Sequence, residues 1–261
     1  MAGERHHGRT VLAIGGGDRI EFLQGLVTND VGRLKEGLVY AGLLTPQGKY
    51  LADFFLADNG DRILLDVAEP LAAPLAKRLR MYMLRADVTL EETDLVPLRG
   101  LGPRPEGAWD DPRHPDLGWR LYSDAAAPEH APSDDGSWEA LRVRLCVPET
   151  GIELVPNDTF VLEAGFERLN GVDFRKGCYV GQEVTARMKH KTQLRKGFVT
   201  VAVEGDAPPP GTDIVNGEKT AGALYTVADG QGIAYLRFDR AGADMVAGEA
   251  RVSYTPAAAE G

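Results

Sequence analysis

The sequence predicts an α+β protein that ends in a small β-barrel, and three patterns carry that prediction. Strand-like runs at Gly42–Leu44, Tyr50–Ala57 and Ile63–Val67 are joined by turn chemistry at Pro46-Gln47-Gly48-Lys49 and Asn59-Gly60, as in an antiparallel meander. Leu71, Leu75 and Leu79 recur every fourth residue through Pro70 to Arg80, the spacing of an amphipathic helix. Beyond residue 197 come four short strand-like runs, Phe198–Val203, Thr220–Val227, Gly232–Phe238 and Ala250–Tyr254. They are punctuated by Pro208-Pro209-Pro210-Gly211, Asn216-Gly217 and Asp229-Gly230, which suits a barrel.

The remaining elements follow in order. Val11–Ile14 reads as a short buried strand, and Gly15-Gly16-Gly17 as a turn without the G-x-G-x-x-G spacing of a dinucleotide site. Asp18 and Glu21 have capping-box spacing; Phe22, Leu23, Leu26 and Val27 continue a helix that Asn29-Asp30 and Gly32 would end. Ala86–Leu90 returns to strand composition. Residues 103–137, rich in Pro, Asp, Gly and Ser, read as connecting loop. Leu141–Val147 is strand-like and Thr159–Leu169 helix-like, and 257–261 reads as a frayed tail.

Composition limits the function. The 261 residues are 43% hydrophobic, enough for a large core, and two cysteines, Cys146 and Cys178, are too few for a disulfide framework and lack C-x-x-C spacing. No apolar run reaches ten residues, against the roughly 20 of a spanning helix, and the first residues carry no apolar targeting segment. A cytoplasmic, bacterial-type location without membrane attachment is expected. The net charge of −10 disfavours a protein that coats duplex nucleic acid.

One window opposes that charge. Arg175–Lys196 holds seven Lys or Arg against the single acid Glu183, a local +6 that leaves −16 for the rest of the chain. Such a patch steers anionic ligands or partners, or is simply a solvated face. Within it, Cys178 stands between Gly177 and Tyr179. Arg175 and Lys176 nearby would favour its thiolate, so Cys178 reads either as a reactive or ligating thiol or as a small buried hydrophobe, the natural reading of Cys146. The five histidines show no zinc-site spacing, and neither a G-x-S-x-G elbow nor a P-loop occurs. Asp53, inside an apolar strand, and Glu163, in a helix-like segment, are carboxylates that need partners.

The run Lys176-Gly177-Cys178-Tyr179-Val180-Gly181-Gln182-Glu183, continued by Val184-Thr185-Ala186-Arg187, resembles the signature of the YgfZ family of folate-binding, iron-sulfur cluster assembly proteins, relatives of the glycine cleavage T-protein. Further matches are Phe22–Gly25, Thr28–Asp30, Leu44–Lys49, Ala52-Asp53, Met81–Val88, Asp111–Arg113, Leu117–Arg120 and Leu162–Gly165, spanning residues 11 to about 240. The resemblance implies a ring of two mixed α/β subdomains over residues 1–192, with a C-terminal barrel at 193–256. It implies tetrahydrofolate or a derivative as ligand, with Asp53 at the T-protein's catalytic aspartate and Glu163 receiving the pterin. Arg187, Lys176, Tyr179, Gln182 and Glu183 would line the ligand's site, and Arg187 would face its anionic tail.

T-proteins commonly carry two consecutive acids where this chain has Ala52-Asp53, and they lack the cysteine motif. The resemblance therefore favours an accessory factor over an aminomethyltransferase. Cys178 would be the catalytic or redox thiol, or a transient cluster ligand, with no tightly bound metal and with iron-sulfur clients or assembly factors as partners, since one thiol cannot hold a [4Fe–4S] cluster. The alternatives are a tetrahydrofolate-dependent one-carbon transferase using Asp53, and a factor in tRNA modification.

Overall fold

Among the described residues, every pair of neighbouring strands in the computed structural model is antiparallel, and a helical crossover places β5 and β6 on either side of β2. Residues 3–124, 137–190 and 194–256 are described. The chain divides into two units, one of Met1–Ser133, Pro156–Val161 and Phe166–Arg187, the other of Asp134–Val155, Leu162–Gly165 and Met188–Gly261.

The first unit opens with β1 (Glu4–Arg5), β2 (Arg9–Gly15) and a short helix α1 (Arg19–Gln24). The meander is β3 (Val39–Leu44), β4 (Tyr50–Asn59) and β5 (Arg62–Ala68), followed by α2 (Glu69–Met83) and β6 (Thr89–Glu92). These form a five-stranded sheet in the order β3-β4-β5-β2-β6. Alternation along the strands separates its two faces. Ala41, Leu43, Ala52, Phe54, Leu56 and Leu65 turn to one side, where they form a core with Ala72, Leu75, Ala76 and Leu79 of α2. Tyr40, Gly42, Asp53, Phe55 and Asp66 occupy the alternate positions. A second sheet of β1, β7 (Leu95–Gly100), β8 (Trp109–Asp110) and β9 (Trp119–Asp124) has the order β1-β7-β9-β8.

The second unit has α3 (Ser137–Arg144) and, from Met188, the end of α4 (Gln182–His190), whose residues to Arg187 lie in the first unit. Its barrel closes from β10 (Lys196–Glu204), β11 (Thr212–Asn216), β12 (Lys219–Ala228), β13 (Gln231–Arg237), β14 (Met245–Ala247) and β15 (Ala250–Ser253) in the order β10-β13-β12-β11-β14-β15. β15 pairs back to β10, so no edge is left unpaired. Val201, Ile214, Ala221, Leu224, Ala234 and Leu236 fill it.

Five elements differ from the sequence expectation. The first helix ends at Gln24, because Val27 bridges to Leu43 and the Thr28 amide donates to Gly42 O. Asp18 does not cap it; its carboxylate accepts from the Asp87 amide at 2.8 Å. The stretch 103–137 contains β9, whose Trp119 is buried where a Cβ on Gly3 or Gly100 would overlap its indole. Leu141–Val147 alternates like a strand, yet Ser137–Arg144 is helical, with Trp138, Leu141 and Leu145 also at helical spacing. Thr159–Leu169 is a series of turns: Gly165 has φ +73°, and the Glu163 carbonyl accepts from the Phe198 amide of β10. Ala86–Leu90 becomes strand only from Thr89. Residues 125–136 of the expected loop, the 192–193 boundary and the tail at 257–261 lie outside the described residues. Among the described residues, no helix is long and apolar enough to cross a membrane.

Candidate functional site

Asp53 is buried on β4 opposite Gly42, on the sheet face away from α2. Tyr50 Oη donates to its Oδ1 at 2.7 Å and Tyr40 Oη to its Oδ2 at 3.1 Å, so each carboxylate oxygen accepts a phenol. Burial and the adjacent Asp53 charge push the Tyr40 hydroxyl well above its ordinary pKa and keep it a donor. Phe166 closes against both tyrosines, its ring centroid 5.2 Å from that of Tyr40 and 6.3 Å from that of Tyr50. Gly42 leaves room for that ring: a Cβ would come within 3.2 Å of Phe166, a tight contact.

Next to this carboxylate lies an ionic network. Asp66 accepts from Arg9 Nε at 2.6 Å, Arg120 Nη1 at 3.1 Å and Tyr122 Oη at 3.2 Å. Asp111 takes a bidentate pair from Arg113 at 2.8 and 3.0 Å and an Arg120 contact at 3.4 Å. The three guanidiniums lie over the Phe55 ring, with Arg120 closest at 3.9 Å. Burial opposes the Arg113 charge, but Asp111, Tyr40 and Asp53 outweigh it and raise its pKa. Burial likewise works to raise the Asp111 pKa, and Arg113 and Arg120 hold it below the usual carboxylate range. Three cations and three carboxylates, Asp53 included, thus compensate one another.

Cys178 is exposed, on a loop pinned at both ends. On one side Lys176 is buried, and Nζ donates to the carbonyls of Gln24, Val27 and Asn29 at 2.9, 2.6 and 2.9 Å. On the other, Gly181 at φ +85° sits so close to the β3–β4 turn that a Cβ would lie 2.6 Å from Thr45 O. Tyr179 is buried between these anchors, its ring 5.2 Å from the Lys176 ammonium. Cys146, by contrast, is buried against Val143 and Ile233.

Two side chains of this loop are turned inward. Lys176 does not turn its charge outward to a ligand or to the thiol, because its three protons are taken by the end of α1; Arg175 reaches Asp173 at 3.9 Å. Tyr179 is a buried support. Gln182, Glu183 and Arg187 lie in α4, where Glu183 and Arg187 are exposed one turn apart, the i,i+4 spacing of a helical ion pair.

Glu163 lies in the second unit, within the turns before β10, and is buried. Tyr235 Oη donates to its Oε2 at 2.6 Å, and Lys196 Nζ stands 3.8 Å from the same oxygen. Gly197 permits this packing, since a Cβ there would meet Glu163 O at 3.0 Å. A carboxylate offers about four acceptor sites, so Glu163 keeps acceptor capacity beyond Tyr235. That acceptor capacity suits a ligand with paired N–H donors, whereas Asp53, with both oxygens capped, suits a fixed negative charge. Among the described residues, no group of three or more His, Cys, Asp or Glu could hold a metal ion. Tyr40, Tyr50, Tyr235 and the Arg9–Asp66–Arg120 network were not evident from sequence, since each depends on pairing between distant strands.

Comparison with known proteins gives the fold and the family. Residues 195–259 match the C-terminal β-barrel domain of CAF17. The aminomethyltransferase T of the glycine cleavage system from Bartonella henselae superposes with a TM-score of 0.77 over 96% of this chain and 84% of that one; at 15% identity this establishes the fold. The mitochondrial iron-sulfur cluster assembly factor IBA57 homolog of Mycosarcoma maydis is 32% identical over 77% of this chain, which spans 57% of that protein. The IBA57 proteins of mouse and human are each 30% identical over 89% of this chain and 73% of their own length. At that identity and coverage, the chain belongs to the family of IBA57 iron-sulfur cluster assembly factors.

Proposed function

We propose that this protein is an accessory factor in the assembly or repair of iron-sulfur proteins, acting through the Cys178 thiol. The observation that carries the reading is an exposed thiol on a loop pinned at both ends, in a member of the IBA57 family. A thiol held this way meets an incoming cluster with little ordering cost. The cluster is cargo: one cysteine supplies one of its usual four ligands, and assembly factors or clients supply the others.

The protein also binds tetrahydrofolate or a derivative in this reading. Glu163 supports it, as a buried carboxylate with spare acceptor capacity on a T-protein-like fold. When bound, the folate would contribute its pterin donors to Glu163. In the first unit, the Tyr40 and Tyr50 hydroxyls hold both oxygens of Asp53. With each oxygen already accepting a phenol, that carboxylate is a fixed acceptor, which favours the accessory role over one-carbon transfer.

The test is genetic and enzymatic. Cells lacking the protein should lose activity of [4Fe–4S] enzymes while enzymes without clusters keep theirs. Unchanged [4Fe–4S] activity would refute the reading.

A further inference from the structure

The residues on either side of Cys178 divide the work. Gly177 faces open space and Cys178 is exposed, whereas Lys176 and Tyr179 are 8% and 7% exposed. The Lys176 ammonium satisfies three carbonyls at and just beyond the end of α1, acceptors that a helix terminus leaves without internal partners. The same short segment is tied to the loop elsewhere. The Asp173 amide donates to Thr28 O at 3.1 Å, Thr28 Oγ1 donates to Gly171 O at 2.6 Å, and Asn29 Nδ2 donates to Asn170 O at 2.7 Å.

We propose that Lys176 is the positioning residue for the Cys178 thiol, locking the loop onto the Gln24–Asn29 segment so that the sulfur stands at a fixed place for cluster transfer. This rests on the reading of Cys178 as the functional thiol. Lysine suits the task because its three protons diverge from one nitrogen toward three carbonyls; the planar fork of arginine cannot converge on that trio. Asp30 and Asp173 are the acidic groups acting on the ammonium, and burial still pushes its pKa down to about 8.

The test uses the full-length protein with a nitroxide spin label on the exposed Cys178, read by EPR, beside amide exchange followed by mass spectrometry. In Lys176→Met, amide exchange over residues 177–179 should rise about tenfold and the label's spectrum should narrow, because the loop is no longer held in place. Lys176→Arg should restore only part of the protection. Lys176→Arg decides the matter if Lys176→Met fails to fold. A folded Lys176→Met or Lys176→Arg whose amide exchange and label spectrum match those of the wild type would overturn the proposal. The underlying reading fails separately, if Cys178→Ser supports [4Fe–4S] enzymes as well as the wild type does.

Discussion

The Tyr50 hydroxyl donates to Asp53 Oδ1 at 2.7 Å, three residues away along the same strand, and the Tyr40 hydroxyl takes the other oxygen. A hydrogen bond to a buried charged group contributes roughly 1.5–3 kcal/mol. Tyr50→Phe should therefore lower unfolding free energy by about that amount, measured by urea denaturation. A variant as stable as the wild type would show that Asp53 does not depend on this donor.

Arg120 bridges Asp66 and Asp111 with its side chain 3% exposed. Removing one partner of a buried ion pair leaves an uncompensated charge, at a cost of about 3–5 kcal/mol. Arg120→Met should be destabilised by that amount. Adding Asp66→Asn should recover part of the loss, because the two changes share one network. Strict additivity would contradict the coupling.

His6 sets a pH dependence. Its Nδ1 lies 3.2 Å from Arg120 Nη1, and burial together with Arg120, Arg99, Arg9 and Arg113 lowers its pKa well below 6.5. Between the folded pKa and 6.5 the unfolded chain binds the proton and the folded one does not, so stability rises with pH across that window and falls on acidification. Melting temperatures recorded between pH 5 and 7 should show a shallower acid decline in His6→Gln than in the wild type. Parallel declines would assign the acid sensitivity to the carboxylates instead.

Glu163 is the folate-facing group of the proposal. Glu163→Gln keeps the shape and exchanges an acceptor oxygen for a donor, so tetrahydrofolate measured by equilibrium dialysis should bind about tenfold more weakly, a loss of about 1.4 kcal/mol. Unchanged binding would remove Glu163 from the site.

What the sequence revealed tracks how local each signal is. The β3–β4–β5 meander, α2 and the barrel strands follow from alternation, a four-residue leucine repeat and Gly or Pro turns within a few residues of one another. Leu141–Val147 reads as strand yet is helical to Arg144, because its residues fit both periods and alternation alone chose the wrong one, and Gly165 breaks a helical pattern by adopting positive φ. The Cys178 motif stood out by composition. The role of Lys176 did not, because its three acceptors lie some 150 residues earlier in the chain. Asp53 was recognisable as a carboxylate in an apolar strand, but its tyrosine partners depend on the register between β3 and β4.

The most direct test of the account compares wild type with Cys178→Ser, expressed at matched levels in cells lacking the protein, by the activity of their [4Fe–4S] enzymes. Cys178 is exposed, so the substitution leaves packing intact. The account predicts full restoration by the wild type and none by Cys178→Ser. Equal restoration by both would contradict it and make the thiol dispensable.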